Sequence, residues 1–238
     1  MSGDLATFPE DWGRALAVVA HPDDMEYGAA CAVAKWTAQG KHISYLLVTR
    51  GEAGIATMAP DEVKALREVE QRNSCAAVGV SDLAYLDHPD GLVVEGLELR
   101  RVLTEAIRRH RPDVLISVNH RDSWGGPSWN HADHRAVGRS LLDAMRDAGN
   151  RWLFPGVGEP WDGTRFVAFN ATPSNTHAVE IDEEHLAAGI ASLRCHELYL
   201  AALDGHDDPD PFLRGAARDN GEAIGVEYAT AFEIVGGV

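Results

Sequence analysis

No stretch of this 238-residue chain approaches the ~18 consecutive apolar residues of a membrane-crossing helix, so none is expected. Positive charge is scarce: 21 Lys and Arg stand against 37 Asp and Glu, a formal charge of −16. That balance argues against nucleic acid or an anionic membrane as the partner, since both need a basic face. Cysteine is also rare. Cys31, Cys75 and Cys195 lack close spacing and read as reduced, buried, structural residues of a cytoplasmic protein. The start, Met1-Ser2-Gly3-Asp4, lacks the basic-then-apolar pattern of a secretory signal, so none is expected. Internal repeats and low-complexity tracts are missing as well.

What the chain does have is a regular alternation of short apolar runs with helix-compatible segments. Strands are expected over Arg14–Ala20, His42–Thr49, Asp82–Leu86 and Asp113–Val118. Helices are expected over Glu26–Gln39, from Pro60 to about Val78, and over Glu98–His110. This order predicts an open, doubly wound, mostly parallel Rossmann-like sheet with helices on both faces. Right-handed crossovers then gather the strand-to-helix loops on one edge. A long loop, 119–130, precedes a helix opened by His131-Ala132-Asp133-His134 and running to about Ala148. Further strands are expected at Phe166–Asn170, His177–Ile181 and Glu227–Val235, and one helix over Asp182–Leu203. Residues 1–13 read as a loose arm, and 204–222 as an acidic, turn-rich loop. The whole, 1–238, is read as one domain with a core at about 14–145 and a C-terminal part, 150–238, completing the sheet and the substrate side.

The chemistry concentrates where the first strand ends, at His21-Pro22-Asp23-Asp24. In parallel α/β sheets, ligands collect outside the carboxyl ends of the strands. From a tight turn His21 and Asp24 can face one point, leaving Asp23 directed elsewhere. Two metal ligands and a spare carboxylate suit a metal hydrolase, which needs ligands for the ion and a base for its water. The best third ligand lies in His131–His134, whose spacing puts both rings on one side of a helix start. Asp133 is placed to hold an imidazole by a hydrogen bond. A nucleotide-binding module is the rival that the fold alone suggests. No glycine-rich phosphate loop follows strand one, and carboxylates there would repel phosphate.

His21-Pro22-Asp23-Asp24 with Glu26 and Gly28, Thr49-Arg50-Gly51-Glu52, Arg67-Glu68 and His131-x-Asp133-His134 together resemble the LmbE-like (PIG-L type) N-deacetylases. The resemblance spans about 14–145, with a fainter echo at His196. It implies a zinc-dependent hydrolase that removes the acetyl group from an N-acetylglucosamine-type or related small N-acylated substrate. It implies His21, Asp24 and His134 as ligands of Zn²⁺ or another divalent metal, and Asp23 as general base. It implies His131, oriented by Asp133, as stabiliser of the oxyanion or acid for the leaving amine. Arg50 matches a position near the substrate loop. There are departures. Ala29 and Ala30 follow Gly28 where the family often has two glycines, Ala132 replaces a proline, and Glu197-Leu198-Tyr199 follows His196 in place of Ser-Gln.

Bland readings stand beside the sharp ones. Trp124 and Trp129 are candidate sugar-stacking residues, or plugs of their loop, or a subunit contact in a homo-oligomer. His196 is a candidate substrate contact or a packed core histidine. Arg50 and Glu52 bind substrate or form a surface ion pair. Arg67 and Glu68 read as a structural pair, and His88 as a solvated turn residue. A metal-dependent hydratase or another amidase on the same scaffold, and a non-catalytic sugar-binding protein, are the alternatives to deacetylation.

Overall fold

Strand β2 (Arg14–Val19) shows why this sequence builds a layered sheet. Its side chains alternate between two cores. Ala15, Ala17 and Val19 join one cluster with Trp36 and Cys75, while Leu16 and Val18 join another with Leu103, Ile107 and Leu141. A strand buried on both faces needs helices on both sides, and the alternating segments supply them.

The computed structural model describes residues 5–203 and 208–236. Before β2 lies β1 (Ala6–Thr7). After it come α1 (Ala30–Ala38), β3 (His42–Leu47), α2 (Pro60–Ala77), β4 (Asp82–Tyr85), α3 (Leu97–His110) and β5 (Val114–Val118). A hairpin of β6 (Ser123–Gly125) and β7 (Ser128–Trp129) follows, then α4 (Ala132–Gly149), β8 (Phe166–Asn170) and β9 (His177–Ile181). The chain closes with α5 (Glu183–Arg194), α6 (Glu197–Ala201), α7 (Asp210–Glu222) and β10 (Tyr228–Gly236).

The main sheet has eight strands in the order β1-β9-β10-β8-β5-β2-β3-β4. Strands β8, β5, β2, β3 and β4 pair in parallel, and β10 runs antiparallel to both β8 and β9. From β2 the chain winds outward through β3 and β4. It then returns to the opposite flank of β2 as β5. The crevice between the carboxyl ends of β2 and β5 is a topological switch point, where such sheets bind ligands.

Four expectations are corrected. The first helix begins at Ala30, not Glu26, because Asp23 adopts a left-handed φ of 91° and the chain turns through 22–29 first. The 1–13 arm is not loose over its described part: β1 pairs with β9, and Phe8 and Trp12 are buried. The 182–203 helix breaks at His196, whose ψ of 50° leaves the helical region, so that α6 restarts at Glu197. Much of the acidic 204–222 segment is helix α7, with Leu213, Ala217 and Gly221 buried at four-residue spacing. Its part at 204–207, the start of the N-terminal arm at 1–4 and the tail glycine at 237 lie outside the described residues. No described helix is long and apolar enough to cross a membrane.

Candidate metal centre and active site

The turn after β2 is held by its own aspartate. Asp24 Oδ2 accepts the backbone N–H groups of Ala20 (3.0 Å) and His21 (2.9 Å). That bond pattern aims Asp24 Oδ1 inward, 3.0 Å from His134 Nε2. Gly28 closes the same turn against β8, where a Cβ would lie 1.7 Å from Asn170 Oδ1. Only a residue without a side chain fits there.

The second motif arrives through the 119–130 loop. Asn130 Nδ2 donates to the carbonyls of Asn119 (2.7 Å) and Arg121 (2.8 Å), which fixes the orientation of its amide. Asn130 Oδ1 therefore faces His131 N–H (2.8 Å) and His134 Nδ1 (3.1 Å). Nδ1 of His134 must carry the hydrogen. In the neutral ring, Nε2 then presents a lone pair inward.

His21 is held in the same manner from its other edge. Its Nε2 lies 3.0 Å from Asp90 Oδ1 and 3.2 Å from Asp133 Oδ2. Asp133 also accepts from Gly91 N–H (2.7 Å) and Val93 N–H (3.1 Å). Asp90 accepts from Ala53 N–H at 2.8 Å, and its own N–H donates to Glu52 at 2.9 Å. With two carboxylates on Nε2, the neutral His21 ring turns the lone pair of Nδ1 toward His134 Nε2, 3.1 Å away.

Three acceptors thus converge: His21 Nδ1, His134 Nε2 and the Asp24 carboxylate. With both rings neutral no donor lies between these acceptors, so the arrangement draws in positive charge, either a proton on His21 or a metal ion. The ionisation tendencies agree. Burial alone would lower His21, but Asp133, Asp24 and Asp90 outweigh it and hold the ring well above 6.5. Burial would raise Asp24, yet His134 and His21 hold it well below its usual range. Two imidazoles and one carboxylate, with an open side, are the donor set of a catalytic Zn²⁺ site, and each ring has an outer hydrogen-bond partner. The residues fit a divalent cation. A ring nitrogen of His131 also comes within 4.8 Å of those of His21 and His134. We favour the Asp24 set because His131 is exposed and its Nδ1 is engaged by Asp133 N–H at 3.2 Å.

Asp23 sits beside this cluster with a separate support. Its N–H donates to Gln71 Oε1 (3.1 Å), and its Oδ2 lies 3.0 Å from Arg67 Nη2. Arg67 is itself buried, donates to the Pro22 carbonyl, and stacks 3.7 Å over the Tyr199 ring. Gly51 and Gly54 make room for it: a Cβ would come within 2.5 and 2.8 Å of Nη1. Burial raises the Asp23 carboxyl; Arg67 opposes this and Asp24 adds to it, and the net direction is upward. A carboxylate more basic than usual, next to a cation site, suits proton transfer.

The structure brings together His21, Asp23, Asp24, His131 and His134 around one cavity, with Trp124 on its wall. It does not bring the remaining candidates there. The Asp133 carboxylate holds His21 and not His131, which Asp133 meets only through its backbone N–H. His131 is the N-cap of α4, and burial with the neighbouring His21 and His134 lowers its pKa. Arg50 is committed to Glu68 (2.6 Å) and Asp87 (3.0 Å), outside the cavity lining. Trp129 is exposed beneath Arg135 and does not line the cavity. His196 is fully buried between Glu26 and Glu70, at 3.9 and 4.0 Å, and makes no wall.

Sequence reasoning missed Asp90, Asn130, Arg67 as the partner of Asp23, and Tyr199. Asp90 lies in an acidic loop on the expected ligand edge, so a signal existed. Glu68, paired with Arg67 in the sequence reading, reaches Arg50 instead.

Comparison with known proteins follows the same lines. The family model PIG-L, GlcNAc-PI de-N-acetylase, matches residues 16–145. A 1D-myo-inositol 2-acetamido-2-deoxy-alpha-D-glucopyranoside deacetylase of Thermobispora bispora is 31% identical, over 91% of this chain and 87% of its own. A diacetylchitobiose deacetylase of Thermococcus kodakarensis is 28% identical, over 96% of this chain and 85% of its own. The solved N,N'-diacetylchitobiose deacetylase from Pyrococcus horikoshii, 24% identical, shares the fold with a TM-score of 0.85 over 95% of this chain and 85% of that one.

Proposed function

The chain belongs to the PIG-L, GlcNAc-PI de-N-acetylase, family, and from that premise we propose a Zn²⁺-dependent N-deacetylase acting on a small N-acetylglucosamine-type conjugate. The observation that carries the reading is the convergence of His21 Nδ1, His134 Nε2 and Asp24 on one point. A divalent cation bound there would polarise an acyl carbonyl and bring the acidity of a water to about pH 7.

The chain's own residues do the rest. Asp23 accepts the proton of the water whose oxygen bonds to the carbonyl carbon. Arg67 keeps its carboxylate from rotating away, and Gln71 holds the backbone beneath it. His131, with Nδ1 occupied, offers Nε2–H to the carbonyl oxygen as negative charge grows on it. Asp23 then passes its proton to the amide nitrogen as the C–N bond breaks, and acetate and the free amine leave. Asp90 and Asp133 hold the His21 ring throughout. Three free cysteines, two of them buried, support a reducing compartment, the cytoplasm, as the place of work.

The test is acetate and amine release from a panel of N-acetylated sugars by protein stripped of metal and then given Zn²⁺. Release should appear only with the ion. Stoichiometric Zn²⁺ uptake without release from any N-acetylated sugar would defeat the deacetylase reading.

A further inference from the structure

The cavity is larger and more apolar at its mouth than its chemistry requires. Its volume is about 840 Å³. That lies near the top of the roughly 300–1,000 Å³ range that encloses drug-sized ligands, beyond the needs of a single acetylated sugar. Exposure separates its lining residues. Asp23 and Asp24, at the floor, are each 6% exposed, while Trp124 is 36% and Phe212 58% exposed. Of the apolar residues lining the cavity, only Val118, at 3%, is buried like the carboxylates. The more exposed lining is different: Leu203, Phe212 and Tyr27 are aliphatic or aromatic, while Tyr199 and Trp124 lie nearer the floor, against Arg67 and His134.

Phe212 is not needed to seat its helix. Leu213 and Ala217 are the apolar residues of α7 that are buried, and Phe212 instead presents its ring edge-on to Tyr27 at 5.9 Å and 76°. Neither Leu203 nor Phe212 has a hydrogen-bonding side-chain atom. A polyhydroxylated group against them would lose water without gaining partners, whereas an apolar group would gain burial.

We propose that this wall selects N-acetylglucosamine conjugates carrying an apolar aglycone, an aromatic ring or alkyl chain, seated on Phe212, Leu203 and Tyr27. The inference rests on the deacetylase reading above. The acetyl group is held at the metal centre and the aglycone lies against the exposed apolar residues, so a gain should follow the aglycone and not the acyl chain.

The experiment measures kcat/KM of the Zn²⁺-loaded enzyme for the methyl, phenyl and hexyl glycosides and the inositol glycoside of N-acetylglucosamine, in both anomers. A parallel series keeps the methyl aglycone and lengthens the acyl group to butyryl and hexanoyl. Phenyl and hexyl glycosides should exceed the methyl glycoside by about tenfold or more, the scale of a well-formed apolar contact. Phe212→Ala should lower that ratio by about tenfold and Phe212→Leu should retain most of it. Trp152→Ser, at an 83% exposed tryptophan outside the cavity, should leave the ratio in place. Equal kcat/KM across aglycones, preference for the inositol glycoside, or a gain that follows acyl length would each overturn the proposal. Absence of release from every compound would instead defeat the deacetylase reading.

Discussion

At the floor of the cavity, His21 is gripped by Asp90 and Asp133 at 3.0 and 3.2 Å, and each of those carboxylates is itself tied to backbone N–H groups. At the mouth, Phe212 meets Tyr27 edge-on and leaves 58% of its surface to water. The ligands and base of the floor come from residues 21–134, within the stretch that matches the family model; much of the mouth comes from Leu203 and Phe212, beyond it. Polar networks of this kind specify one geometry, because an unmade bond in a buried site is costly. Apolar surfaces specify only shape and area, and tolerate change. The contrast teaches that one cavity can hold its reaction constant while its substrate varies.

The comparison can be broken most forcefully at Asp23. Asp23→Asn should lower kcat by about 10²–10⁴ while cation content is retained, since a general base is lost and no proposed ligand is. Metal analysis beside steady-state kinetics checks it, and parallel loss of the ion would move Asp23 into the ligand set. Next comes Asp133→Asn, which weakens the hold on His21. Cation affinity should fall about 10–100-fold in chelator competition. Unchanged affinity would remove Asp133 from the support of the site.

Arg50→Gln sharpens the boundary of the floor. Its pairs with Glu68 and Asp87 are partly exposed, so stability should drop by about 1 kcal/mol or less, read by denaturant unfolding, with KM unmoved. A large rise in KM would return Arg50 to the substrate contacts. The smallest effect is a matter of pH at the seam between the two halves, where Arg121 of the 119–130 loop pairs with Glu233 of β10. Burial raises Glu233, but Arg121 and Thr172 outweigh it and leave the carboxyl below its ordinary 4.5. Its contribution to stability is present above the unfolded value and disappears as pH falls through the folded one. Glu233→Gln should therefore flatten the acid limb of a stability–pH curve. An identical limb would show that this pair carries no linkage.

Much was legible in the chain before any coordinates. The unbroken apolar run from Ala15 to Ala20 marks a buried strand, and the alternation of such runs with helical segments, joined by right-handed crossovers, gives the parallel sheet and the edge that bears its loops. His21-x-x-Asp24 and His131-x-x-His134 announce metal chemistry, because few other uses bring such residues to a strand end and a helix start. Where the sequence misled, local pattern was overruled by distant contacts. Phe8 and Trp12 look like an arm until the core meets them. Acidic residues hid the four-residue spacing of Leu213 and Ala217. Asp133 follows His131 in sequence by two positions, yet its carboxylate turns to His21, 112 positions away.

Residue types and their spacing determined which chemistry this protein can perform, since coordination and proton transfer depend on ligand identity and local turns. The tertiary structure alone decided which partners hold those residues: Asp90 and Asp133 on His21, Asn130 on His134, Arg67 on Asp23. It also decided what covers the mouth of the cavity. Those contacts join elements far apart in the chain. Packing selects them by shape and by the need to satisfy buried polar groups, and neither requirement is written in any one stretch of sequence.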